Sequence, residues 1–195
     1  MSDLADRLTF LKNRLNTAYD GIGHSHGRPY VYFVYLPDQE RVIRRLIAEE
    51  LRSDSSLTFY HLDVLPIVVG ATTNQEAKRE ALFRDPLRGG KQALGSLERM
   101  WARVIEGAIT GAVVSAPPAA RPVIVLTGLA ALHPLGTPTG LMEHLAEREP
   151  RDTITGRVLP VVLFIPGIRP PQTSREYLFL GQERLRQDFY RGEEV

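Results

Sequence analysis

Leu4, Leu8, Leu11 and Leu15 recur at steps of four, three and four, which predicts one apolar face of a helix over 3–16. Gly21-Ile22-Gly23-His24-Ser25-His26-Gly27-Arg28-Pro29 then interrupts the pattern and predicts a loop. Beyond it the period changes. Tyr30-Val31-Tyr32-Phe33-Val34-Tyr35-Leu36 is apolar or aromatic at every position and predicts a buried strand. Pro37-Asp38 closes that strand, with Asp38 placed to cap a helix carrying Val42, Ile43, Leu46, Ile47 and Leu51. Residues 57–62 predict a second strand. Asp63 behind them predicts the cap of a short helix over 64–69, in which Pro66 is tolerated in the first turn.

Two helices are predicted next, over 74–83 and 91–113, separated by a loop through Gly89-Gly90. The longer one sets Leu94, Leu97, Trp101, Val104, Ile105 and Ile109 along one face, an ordinary core stripe. Pro117, Pro118 and Pro122 make 115–122 a connector, because repeated prolines remove donors and block a helix. The run 123–127 predicts a buried strand, 138–145 a short helix, and 159–165 an all-apolar strand stopped by Pro166-Gly167. In the tail, 177–181 predicts a final edge strand and 189–191 a closing segment.

Strands that lack polar alternation are covered on both faces. The expected fold is therefore three-layer α/β, with a mainly parallel sheet of about four to five strands flanked by helices. It is Rossmann-like, or like a P-loop fold without the Walker motifs. One domain spans 1–195, with 1–28 as an N-terminal helix and loop and 168–195 as a C-terminal edge and closing segment. Ligands of such sheets sit beyond the carboxyl ends of the strands. Those ends carry Asp38, Asp63, Thr127-Gly128 and Pro166-Gly167.

Composition narrows the chemistry. A chain of 195 residues buries roughly 70% of its unfolded surface and needs no metal or disulfide to fold. The absence of cysteine removes thiolate zinc sites, iron–sulfur clusters and cysteine nucleophiles together. Lys and Arg number 24 against 23 acidic residues, a net charge of +1, so a globally basic nucleic-acid binder is excluded and no direct nucleic-acid partner is expected. Of the 24 basic residues 21 are Arg, the residue suited to bidentate recognition of phosphate or carboxylate, but they are spread along the whole chain as solvated faces are. The polar, acidic start predicts no secretory leader, and no apolar run reaches the ~20 residues of a membrane helix. The expected location is the cytoplasm.

The motif search finds no catalytic, cofactor-binding or metal-binding set. A Walker A loop needs G-x-x-x-x-G-K-[ST] between a strand and a helix. Here Gly89-Gly90-Lys91 follows no strand, and Gln92 stands where the hydroxyl should be. Gly21 and Gly23 form only a G-x-G, ahead of a strand rather than behind one. His24 and His26 can face one way but supply two ligands where a metal site normally needs three or four. His61 and His133 lie near strand ends, where a general base would sit, but no nucleophile motif accompanies them. Tyr30, Tyr32 and Tyr35 read as packing on a doubly covered sheet rather than as a base-stacking platform.

Taken in order, four segments resemble the BrxB family of BREX phage-defence systems. The first is Phe59-Tyr60-His61-Leu62-Asp63-Val64, similar to a family strand ending in Asp. The second is Leu126-Thr127-Gly128 with His133-Pro134 and the helix through Leu141-Met142-Glu143-His144-Leu145. The third is the strand ending in Pro166-Gly167, and the fourth is Phe179-Leu180-Gly181 with Phe189-Tyr190-Arg191. Thr137-Pro138-Thr139 departs from the Arg-Ser-His often found there in the family. The resemblance implies a non-enzymatic assembly component of an anti-phage system, acting through protein contacts. The implied partners are a PglZ-type protein and the large BREX ATPase. Phe179, Tyr190 and Arg191 are the expected interaction residues, because aromatics and Arg dominate interface hot spots. The alternative is a diverged nucleotide- or phosphate-binding enzyme using Asp38, Asp63 and Thr127 at the strand ends.

Overall fold

The computed structural model describes residues 2–19, 30–85, 91–115, 121–152, 154–171, 173 and 175–195. The predicted loop with His24 and His26, the Gly89-Gly90 turn and most of the proline connector lie outside the described residues.

The leucine stripe forms α1 (Ser2–Tyr19), and Leu4, Leu8, Leu11 and Leu15 are all buried. Each contributes roughly 1.5–3 kcal/mol relative to leaving it in water. The aromatic run is β1 (Tyr30–Tyr35), buried at all six positions. It leads through a 3-10 turn, Pro37–Gln39, into α2 (Glu40–Glu50). The chain continues through β2 (Thr58–Asp63), α3 (Val64–Thr72), α4 (Glu76–Arg84) and α5 (Lys91–Val114). Then come β3 (Pro122–Thr127), a 3-10 segment Leu129–Leu132, α6 (Pro138–Arg148) and β4 (Val161–Ile168). Three short strands follow: β5 (Glu176–Phe179), β6 (Arg186–Asp188) and β7 (Glu193–Glu194).

Five strands lie in the order β2-β3-β4-β1-β7, all parallel. The helices cover both faces. Val31, Phe33, Tyr35, Val123, Val125, Val162 and Phe164 pack with α1 and α2 in one core cluster. Tyr32, Val34, Ile124, Leu126, Leu163 and Ile165 pack on the opposite face with α3, α5 and α6. The fold is a three-layer α/β sandwich with a mainly parallel sheet, as the unalternated apolar runs require.

The sequence expectation needs four corrections. Asp38 does not cap α2. Pro37 starts the 3-10 turn at once, the Gln39 N–H is satisfied by the Leu36 carbonyl at 2.8 Å, and the position before α2 is Gln39, without a side-chain cap. Pro166-Gly167 does not stop its strand either. Pro166 pairs with Tyr35, and Gly167 and Ile168 continue into antiparallel pairing with Phe179 and Leu178. A glycine is needed at 167, since a Cβ there would lie 2.9 Å from the Leu178 carbonyl oxygen. The segment 177–181 is accordingly the start of a hairpin on β4, not the edge of the parallel sheet. That edge is β7, an acidic dipeptide. Finally, Leu94 is exposed rather than part of the α5 core stripe.

Candidate functional site

The carboxyl ends of β1, β2 and β3 meet around one charged cluster. Asp63 ends β2, and its Oδ1 accepts the Leu65 N–H at 3.0 Å, which caps α3. Its Oδ2 accepts from Arg44 Nη1 at 2.7 Å, and Arg44 Nε donates to Glu40 at 2.5 Å. The Tyr35 hydroxyl donates to the other Glu40 oxygen. The hydrogen bond to Asp63 holds the Arg44 guanidinium in its charged form, while burial, and then the bond to Glu40, push the Tyr35 phenol well above its ordinary range. Gly128 completes the cluster in a left-handed conformation, φ 70°, with the Asp63 carboxylate where a Cβ would be, 2.1 Å away. The spacing of Glu40 and Arg44, four apart on α2, was the available sequence signal for this network.

Beside the cluster, between α2 and the outer strand β2, lies a cleft of about 460 Å³. Arg44, Arg52, His61 and Thr127 give it polar walls, and Ile47, Leu51 and Phe59 apolar ones. The structure brings Asp63 and Thr127 together, paired across β2 and β3, but of the predicted strand-end residues Thr127 alone lines the cleft, and Asp38 is exposed in its turn. His61 shares the strand with Asp63 but does not bond it. Its Nε2 lies 2.9 Å from the Leu51 carbonyl. His133 ends the 3-10 segment ahead of a cis bond to Pro134. Among the described residues no group of three or more His, Asp or Glu is arranged to hold a metal.

The β4–β5 hairpin fills the carboxyl end of the central strand. The Leu180 N–H donates to the Pro166 carbonyl at 2.8 Å, and Gly181 packs against Ile168 and Pro37. Helix α2 follows β1 on one face and α6 follows β3 on the other, so this is the place where a doubly wound sheet opens a ligand crevice. Here Tyr177 and Phe179, both fully buried, occupy it from the α6 side, with the Tyr177 hydroxyl 2.9 Å from that of Thr139.

Phe179 is thus a core residue and is corrected from an interaction residue, because its side chain has no surface to offer. Tyr190 is half-buried against the same core, and its carbonyl accepts from the Tyr32 hydroxyl at 3.0 Å. Arg191 is exposed, with its guanidinium carbon 5.4 Å from the Tyr190 ring centroid. Tyr190→Ala is expected to lower stability by about 1–3 kcal/mol, and Arg191→Ala by less than about 1 kcal/mol, in a urea titration of each variant. Asp63→Ala removes the α3 cap, and a loss of about 1–2 kcal/mol is expected in the same titration.

Fold and site together define a three-layer α/β protein whose central strand-end crevice is filled from within. No protein-family model, curated protein or solved structure matches the chain.

Proposed function

We propose that this protein is a non-enzymatic assembly component of a BREX-type anti-phage system, working in the cytoplasm through protein–protein contact. A PglZ-type protein is the first partner and the large ATPase of such systems the second. The resemblance supplies the partner class. The observation that carries the contact itself is α3. Its sequence, VLPIVVGAT, holds no charge on any side, yet only Val64 and Val68 are buried. A helix apolar all round belongs in an interior. Here Leu65 and Val69, one turn apart, are 50% and 54% exposed, with Pro66 and Gly70 exposed between and beside them. Such an uncovered apolar stripe supports a reading in which a partner covers this face. Amide exchange in α3 is expected to slow at least tenfold when the PglZ-type protein is added, and unchanged exchange throughout the molecule would remove the reading.

The cleft beside Thr127 favours a second reading, a small anionic ligand held by Arg44, Arg52 and His61. Its volume falls in the usual range of ligand pockets, roughly 300–1,000 Å³. Under the assembly reading, calorimetry with ATP and magnesium gives no binding heat, and turnover stays below about 0.1 per second, where enzymes commonly run at roughly 1–1,000. Saturable heat that is lost in Arg52→Ala would establish the second reading instead.

A further inference from the structure

The sheet ends on β7, and that edge is built with more charge than an edge needs. β7 pairs with only Val31 and Tyr32 of the six-residue β1, and the Val195 N–H donates to the Tyr32 carbonyl at 3.0 Å. Three arginines meet this short segment. Arg14 pairs with Glu193, and Arg169 Nε lies 2.9 Å from Glu194. Arg7 Nη2 donates to the Val195 carbonyl at 2.6 Å and to the Val34 carbonyl at 3.0 Å, and its guanidinium carbon sits 4.3 Å from the centroid of the Phe33 ring. The contacts with Val34 and Phe33 tie Arg7 to β1 itself, apart from its bond to Val195.

We infer that the outer edge of β1, flanked by Arg7, Arg14 and Arg169, is a docking groove for an extended acidic strand of a partner protein, which residues 193–195 occupy until that strand displaces them. A short strand suffices to blunt a sheet edge, so edge protection accounts for β7 but not for three convergent guanidinium groups. Added strands are held by main-chain bonds and selected by their side chains. Here the peptide groups of β1 supply the first and the arginines the second.

The resident segment fits imperfectly. Glu194 is nearly buried, yet its Oε1 makes no hydrogen bond, lying 3.9 Å from Arg7. Burial outweighs the attraction of Arg169 and Arg7 and disfavours the charged carboxylate. Gly192 passes so close to Tyr32 that a Cβ would lie 2.2 Å from the ring, and Arg191 before it has a positive φ of 45°. The inference goes beyond the α3 contact and does not depend on it.

The probe is a fluorescent peptide with the sequence Arg-Gly-Glu-Glu-Val, that of residues 191–195. A chain truncated after Gly192 is expected to bind it at least tenfold more tightly than the intact chain. Arg7→Ala in the truncated chain, or a peptide with Gln for both Glu, should cost at least tenfold. A truncated chain that still melts cooperatively but binds no better than the intact one would overturn the inference. If truncation prevents folding, the intact chain decides. Excess peptide should speed exchange of the Val195 amide severalfold, and an unchanged rate would count against displacement. A dimer of the intact chain that is lost on truncation would assign the groove to a second copy and overturn the partner assignment.

Discussion

Aspartate at both Leu65 and Val69 is expected to weaken binding of the PglZ-type partner at least a hundredfold while leaving the melting temperature within about 2 °C of the parent. Both side chains are half exposed, so the free protein loses little when they become polar. In the proposed complex the same positions would lie under the partner, where an unpaired carboxylate would have to be desolvated. Two central apolar contacts replaced by buried charges cost several kcal/mol, and every 1.4 kcal/mol is tenfold in affinity. Titration calorimetry on parent and variant measures the first quantity, and a thermal melt the second. Equal affinities would show that α3 is not the contact surface.

Gly128→Val is expected to be the most damaging single change at the strand ends, at about 2–4 kcal/mol. A β-branched residue at φ 70° is strained by roughly 1–2 kcal/mol. Its Cβ would also meet the Asp63 carboxylate, which must leave both the α3 cap and the Arg44 guanidinium. A lost cap adds about 1 kcal/mol, and an exposed ion pair up to about 1 kcal/mol. In a domain of this size each kcal/mol moves the melting temperature by roughly 2–4 °C. A fall of about 4–16 °C is expected, and Gly128→Val in an Asp63→Gly background should fall by less, because only the backbone strain remains once the carboxylate is gone.

The parallel sheet was legible because burial on both faces leaves a plain trace, apolar residues at every position of 30–36, 123–126 and 159–165. The Asp63 cap was legible for a similar reason, an acid directly between a strand and an apolar helix. Pro166-Gly167 misled because both residues usually break strands, whereas here the glycine admits a carbonyl that no side chain would allow. β7 left no trace at all. Two glutamates have no strand propensity, and only tertiary contacts with Arg7, Arg14 and Arg169 place them on the edge of β1. Phe179 looked like an anchor because aromatic mass near a chain end serves a core and an interface equally well. Its burial depends on a hairpin that the sequence pattern does not announce.

Size-exclusion chromatography of this protein mixed with a PglZ-type protein, each at micromolar concentration, tests the proposed assembly function most directly. Co-elution as one complex that is lost with the Leu65→Asp, Val69→Asp variant is the expected result. Separate elution of two folded proteins would contradict the account.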